Sequence, residues 1–222
     1  MDIAVAGAHG QIGRRLVRLL AARGDTVRGL VRNPAHLADV RADGGEPAIC
    51  DLETTAVHEV SLAVDGADAV VFAAGAGPGS GPARKATMDR DGAIKLIDAA
   101  RAARVPAYLM ISAMGTEEPP DGDDVFSVYL RAKADADRAL MDSDLAWTIV
   151  RPGRLTDEPG TGRVRIARHL PHGEVTRDDV AAVVAAVLHD HRAVGRIFSL
   201  VGGDEPIPAA LEAAITADPR DG

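Results

Sequence analysis

A short apolar run, Ile3-Ala4-Val5-Ala6, passes directly into Gly7-Ala8-His9-Gly10-Gln11-Ile12-Gly13, and that string passes into a helical face at Ile12, Leu16, Leu19 and Leu20. Few folds tolerate this order. Three glycines spaced three apart would weaken the interior of a helix or strand, yet they suit a tight turn from a buried strand into a helix N-terminus. The helix is predicted to stop near Arg23-Gly24, a basic residue followed by a C-cap glycine. The same alternation then repeats along the chain. Strands are expected over residues 26–31, 48–50, 69–73, 107–111 and 146–150, and helices over 34–42, 55–64, 86–103 and 125–141. Strands alternating with helices imply parallel βαβ units. The expected fold class is therefore α/β: a doubly wound parallel sheet with helices on both faces.

Beyond Arg151-Pro152-Gly153 the pattern loosens. Val164 and Ile166 alternate in a short extended piece, Val180 to Leu188 marks one more helix, residues 197–201 a last strand and 206–217 a weak terminal helix. Some seventy residues are too few for a large second domain. Residues 1–222 are read as one nucleotide-binding domain, with 153–175 and 202–222 as a small substrate-side cap and tail. Composition narrows the function classes. The net charge of −8 argues against a nucleic-acid partner, whose affinity would come from Lys and Arg. No apolar run is long enough to span a bilayer, MDIAVAG shows no basic secretory leader, and the single Cys50 suits a reducing compartment. A cytoplasmic monomer or homodimer acting on a small molecule is expected.

The glycine loop has a chemical use. Its glycines let backbone approach a pyrophosphate, and the helix behind it supplies free N–H donors and a positive dipole end. Gly7, His9, Gly10, Gln11, Ile12 and Gly13 thus form a candidate dinucleotide cradle, with the His9 ring itself read as exposed and incidental. Versions of this motif that take NAD place an acid at the end of the second strand. Here that strand ends in Arg32, whose fork of donors suits a 2′-phosphate. Residues 1–41 hold seven Arg and three Asp, net +4, so the remainder carries −12. The expected cofactor is NADP(H) in preference to NAD(H). Arg18 and Arg23 are read as the wet face of the first helix. Asp51 and Leu52, after the third strand, are candidates to meet the adenine. The glycines of residues 75–82 either admit the cofactor or form a surface loop.

Tyr129 and Lys133 are spaced i and i+4, so on a helix the phenol and the ammonium share one face. Tyr108 is the other tyrosine, and it has no lysine at that spacing. A neighbouring cation would lower the Tyr129 pKa and equip it to exchange a proton with a carbonyl/alcohol pair. Ser112, just after the fifth strand, is positioned to hydrogen-bond the same oxygen. Glu117, Glu118, Asp121, Asp123 and Asp124 make an acidic loop that is either solvated or a lid, and as a lid it would disfavour polyanions. Thr176 with Asp179 reads as a helix capping pair, and no metal-ligand spacing is visible.

GAHGQIG, Arg32, DL at 51–52, AAG at 73–75, ISAMG at 111–115, YLRAK at 129–133, TIVRPG at 148–153 and TRDDV at 176–180 together resemble an atypical short-chain dehydrogenase/reductase. The resemblance covers essentially the whole chain and points to the NAD(P)H-binding group described as NAD-dependent epimerase/dehydratase-like proteins or oxidoreductases. It implies a Rossmann-type sheet, pyrophosphate binding at Gly7, Gly10 and Gly13, and the 2′-phosphate on Arg32. It also implies cofactor contacts at Ala73, Ala74, Gly75 and Lys133, and a catalytic set of Ser112, Tyr129 and Lys133. Asp89 stands where the wider superfamily has asparagine. The expected activity is an NADP(H)-dependent oxidoreductase in which Tyr129 moves the proton. The alternatives are an NADP(H)-binding redox sensor without turnover, an epimerase/dehydratase, and a flavin-type reductase in which Tyr129 is dispensable.

Overall fold

The computed structural model describes residues 1–77 and 79–217; Pro78 of the 75–82 loop and residues 218–222 of the expected tail lie outside them. The first half of the chain is β1 (Asp2–Ala6), α1 (Gln11–Ala22), β2 (Thr26–Val31), α2 (Leu37–Ala42), β3 (Glu46–Ile49), α3 (Val57–Val64) and β4 (Ala69–Phe72). A helical path follows through α4 (Pro82–Arg84), a π-helical stretch Lys85–Gly92 and α5 (Ala93–Ala102), then β5 (Ala107–Ile111), α6 (Val125–Met141) and β6 (Ala146–Pro152). The remainder comprises β7 (Arg154–Thr156), β8 (Arg163–Ala167), β9 (Glu174–Thr176), α7 (Arg177–Val187), β10 (Arg196–Gly202), β11 (Glu205–Pro206) and α8 (Ile207–Thr216).

These strands form a nine-stranded sheet in the order β11-β8-β10-β6-β5-β4-β1-β2-β3. From β3 to β10 every pairing is parallel. Period-two patterning sets its two cores. In β1, Ile3 and Val5 join a core with α1, α7 and α8, whereas Ala4 and Ala6 join a second core with α3, α5 and α6. Both faces are covered, so the strands read as continuous apolar runs. The strand order reverses at β1, which lies between β2 and β4. Ligands of such sheets bind outside the strand C-terminal ends at that reversal.

The edge differs from the expected all-parallel sheet. β8 runs antiparallel to both β10 and β11. Its alternation fits an edge position: Val164 and Ile166 are buried while Arg163 and Arg165 are exposed, the pattern of a strand with one dry face. The described part of 202–222 belongs to this edge. Ile207, Ala210, Leu211 and Ile215 share one helical face and enter the first core, so α8 packs on β8 instead of roofing the site. Within 153–175, β7 pairs with β9 as a separate two-stranded sheet. Asp179 holds the preceding turn: its carboxylate accepts from the N–H groups of Thr161 (3.0 Å) and Gly162 (2.8 Å), while its own N–H donates to the Thr176 hydroxyl (3.0 Å). The expected capping pair is therefore present, and it also ties down a loop.

Candidate active site

Gly7 turns β1 into the loop at φ +82°, and a side chain there would put its Cβ 2.6 Å from Ala74 Cα. At Gly13 a Cβ would collide with the Gly7 carbonyl oxygen. Side chains are thus excluded where the loop meets the residues after β4 and where the first turn of α1 packs on the loop. Gly10, in extended backbone, leaves the N-terminus of α1 without a side-chain cap. Open N–H donors and a positive dipole end therefore face the crevice. A cavity of ≈ 230 Å³ lies there, lined by Gly7, His9, Gly10, Arg32, Asp51, Leu52, Ala73, Ala74 and Gly75, all expected from the sequence. Gln11 and Ile12 line an adjoining cavity, and Gly13 is buried beneath the loop. Shape and donor set fit a dinucleotide phosphate.

The charges of this half are redistributed by the fold. Arg14 pairs with Asp43 at 2.6 Å, Arg15 with Asp178 at 2.5 Å and Arg28 with Asp2 at 2.9 Å. Two of the four excess positive charges read from residues 1–41 are thereby matched by acids outside that segment, Asp43 and Asp178. Arg32 remains half exposed at the cleft, 3.5 Å from Glu53. Glu53 also accepts from Arg84 at 3.0 Å and from the Thr87 hydroxyl at 2.7 Å. Burial pushes the Glu53 carboxyl up, but the Thr87 and Arg84 hydrogen bonds and the charges of Arg84 and Arg32 outweigh it and hold it below the usual range. His9 is not incidental. Its ring stacks on His36 at 3.5 Å between centroids, and its Nε2 bonds Asp39 at 2.8 Å, so both imidazoles wall the cleft.

The adjoining cavity, ≈ 470 Å³, shares His9, Gly10, Ala73, Ala74 and Gly75 with the first and gathers Ser112, Tyr129 and Lys133 on its walls. Ser112 is held by its N–H, which donates to the Val150 carbonyl at 2.8 Å. Its hydroxyl is buried beside the Asp137 carboxylate. The N-terminus of α6 is fixed by Asp124, which accepts from the N–H groups of Phe126 and Ser127. Tyr129 and Lys133 follow on one face, as the spacing predicts. Lys133 is 3% exposed; its Nζ donates to the Ile111 carbonyl at 3.0 Å and lies 3.9 Å from Asp89. Asp89 is itself buried and accepts from the Ala76 N–H at 3.3 Å. One turn beyond Lys133, Asp137 accepts from Thr116 and from Arg151, each near 3 Å, and Arg151 also pairs with Glu117.

Electrostatics correct one expectation. Burial, then the carboxylates of Asp89 and Asp137, push the Tyr129 phenol above its ordinary 10.0, so Lys133 does not depress it. Burial lowers Lys133 below its ordinary 10.5, only partly offset by Asp89 and Asp137. Burial is the larger cause, and the two nearby carboxylates add to it. Tyr129 is accordingly protonated at neutral pH. The acidic loop is pinned, not a lid in this state: Glu117 is paired with Arg151, and Arg131 holds the carbonyls of Pro120 and Gly122. None of its acids lines the catalytic cavity.

A model of the NAD(P)H-binding family matches residues 7–191. The chain belongs to that family. Among relatives of this NAD(P)H-binding protein, a Bacillus subtilis (strain 168) protein named as an uncharacterized sugar epimerase, YhfK, is 39% identical over 96% of this chain and 99% of its own. A solved structure from Bacillus halodurans, provisionally named as an NAD-dependent epimerase/dehydratase, is 36% identical, with TM-score 0.90 over 96% of this chain and 99% of that one. The oxidoreductase ylbE from Lactococcus lactis superposes with TM-score 0.87 at 26% identity, covering 98% of both chains. The fold is thus the Rossmann-like, mostly parallel sheet of these NAD(P)H-binding proteins. Among the described residues no helix is long and apolar enough to cross a membrane, and no group of His, Cys, Asp or Glu is arranged to hold a metal.

Several wall residues of this NAD(P)H-binding site went unread in the sequence. His36, Arg84 and Met88 line the glycine-loop cleft, and Lys85, Leu155 and Arg177 the cavity walled by Ser112, Tyr129 and Lys133. A signal for Arg84 and Lys85 existed: two adjacent cations directly after the glycine-rich loop that follows β4.

Proposed function

We propose that the protein is an NADP(H)-dependent oxidoreductase that exchanges hydride with a small carbonyl or alcohol substrate. The observation carrying this reading is that the two cavities adjoin: His9, Gly10, Ala73, Ala74 and Gly75 line both the glycine-loop cleft and the space walled by Ser112, Tyr129 and Lys133. Gly7, Gly10 and Gly13, with the open N-terminus of α1, would hold the pyrophosphate. Arg32 would hold the 2′-phosphate, with Arg84 beside it in place of Glu53. Asp51 and Leu52 would meet the adenine, and Ala73, Ala74 and Gly75 the middle of the cofactor. When bound, the nicotinamide supplies or accepts the hydride. Tyr129 holds the proton on Oη and delivers it to the substrate oxygen as charge develops there. Ser112, whose buried hydroxyl lines the same cavity, donates to that oxygen. Lys133 orders the ribose and carries the compensating positive charge between Asp89 and Asp137.

The Tyr129 phenol is protonated at neutral pH, the form that delivers a proton in the reductive direction. The test is Tyr129→Phe across a panel of aldehydes and ketones with NADPH consumption as the readout. Lost turnover with NADPH affinity kept agrees with this reading. Unchanged turnover assigns the chemistry to hydride transfer without Tyr129, and no turnover in the parent protein leaves a binding protein. A second reading, epimerisation, draws support from the relative named as a sugar epimerase. An epimerase regenerates its cofactor each cycle, so stoichiometric NADPH oxidation separates the two.

A further inference from the structure

The helical path after β4 serves both cavities at once. Arg84 and Met88 line the cofactor cleft, whereas Lys85 and Asp89 line the catalytic cavity. Lys85 and Asp89 fall within the π-helical stretch, a local widening often found where a helix serves a site. Three cations stand on the catalytic wall: Lys85, Lys133 and Arg177. Two of them are committed. Lys133 is buried against Asp89 at 3.9 Å, and Arg177 pairs with Asp157 at 2.9 Å. Among the described residues Lys85 has no carboxylate partner; its ammonium donates to the Gly77 carbonyl at 3.1 Å and lies 5.1 Å from the Tyr129 ring centroid. Asp89, the one carboxylate on that wall, is already engaged by Lys133 and the Ala76 N–H. The cavity therefore carries a surplus positive charge, on a flexible side chain, beside the residue assigned to proton transfer.

We propose that Lys85 makes the catalytic cavity select substrates bearing one anionic oxygen group, a carboxylate or a phosphate, on the same molecule as the reacting carbonyl. This rests on the oxidoreductase reading above. The ammonium exchanges its carbonyl partner for the anion, and the charge pairing fixes the carbonyl against Tyr129 and Ser112. A neutral substrate of the same shape leaves Lys85 on Gly77 and gains no such anchor. The acidic residues 117–124 do not oppose an anion, because none of them reaches this wall.

The experiment uses the NADPH-loaded protein with three matched probes: 4-formylbenzoate, 4-formylphenyl phosphate and methyl 4-formylbenzoate. The expected result is a kcat/KM at least tenfold higher for one or both anions than for the ester. That preference collapses to near unity in Lys85→Gln and returns in Lys85→Arg. In parallel, benzoate binding to the NADP+-loaded protein is measured by calorimetry and is expected to weaken at least tenfold in Lys85→Gln. Equal use of ester and anions, or a preference that survives Lys85→Gln, overturns the proposal while leaving the oxidoreductase reading intact. Lys85-dependent benzoate binding without turnover of any probe upholds the anion site and counts against the oxidoreductase reading. Neither turnover nor benzoate binding overturns the proposal. So does a Lys85→Gln protein that loses NADPH affinity but not benzoate affinity, since it assigns Lys85 to the cofactor.

Discussion

The two ends of the cleft are made of different material. At the glycine-loop end the surface is backbone: Gly7 and Gly13 leave no room for a Cβ, and binding groups are N–H donors at the head of α1. At the Tyr129 end the surface is side chain, with Ser112, Asp89, Lys133, Asp137 and Arg151 buried together. A backbone site presents one shape to one constant ligand and resists any substitution. A side-chain site built on buried charge can be retuned residue by residue, at the risk of leaving a charge unpaired. The difference suits an invariant cofactor at one end and a variable substrate at the other.

The comparison can be broken by substitution. The largest effect is expected from Tyr129→Phe, a loss of about 10²–10⁴ in kcat with NADPH affinity preserved, read by steady-state kinetics and cofactor fluorescence. Retained turnover would show that the side-chain end does not carry the proton. Next is Asp137→Ala, which removes the buried partner of the Arg151 guanidinium and leaves it only the half-buried Glu117; a destabilisation of about 1.5–3 kcal/mol is expected by chemical denaturation. Gly13→Ala should lower stability by about 1–3 kcal/mol and weaken NADPH binding together, because the same Cβ both collides and shifts the loop. A change in one without the other would separate loop geometry from binding. Arg32→Asp should cut the preference for NADPH over NADH by about tenfold, measured as the ratio of dissociation constants.

The smallest effect concerns pH. Lys133 is lowered from its ordinary 10.5 whereas Tyr129 is pushed far above its ordinary 10.0, so raising the pH discharges the ammonium first. The alkaline fall in kcat is expected to follow Lys133 and to move upward in Lys133→Arg. Stability has the opposite sign. The unfolded chain keeps the Lys133 proton at pH values where the folded state has lost it, so this residue makes stability rise with pH between its lowered folded pKa and 10.5. Lys133→Met should flatten that rise in denaturant titrations across the alkaline range.

Much of the fold was legible because each element states its own burial. Ile3 and Val5 against Ala4 and Ala6, or Leu109 and Ile111 against Tyr108 and Met110, assign a strand to two cores from period two alone. The glycine spacing marked the turn after β1, and Tyr129-Lys133 marked a helix face. The antiparallel β8 was harder to read, since Val164 and Ile166 give alternation but no direction. The π-helical stretch left no periodic signature either, and the expected helix start at residue 86 fell inside it.

The sequence by itself determined the doubly wound sheet, the cradle at its reversal point and the residue types able to move a proton, because these follow from local spacing and conformational cost. Tertiary structure alone decided where the charges act. Arg15 meets Asp178, Arg32 and Arg84 share Glu53, and Lys133 lies against Asp89 rather than lowering the Tyr129 pKa. Those partners sit far apart along the chain, and Coulomb energy depends on distance and burial rather than on order in sequence. Net charge per segment could not reveal that Lys85 is left without a carboxylate; only the packed walls of the cavity do.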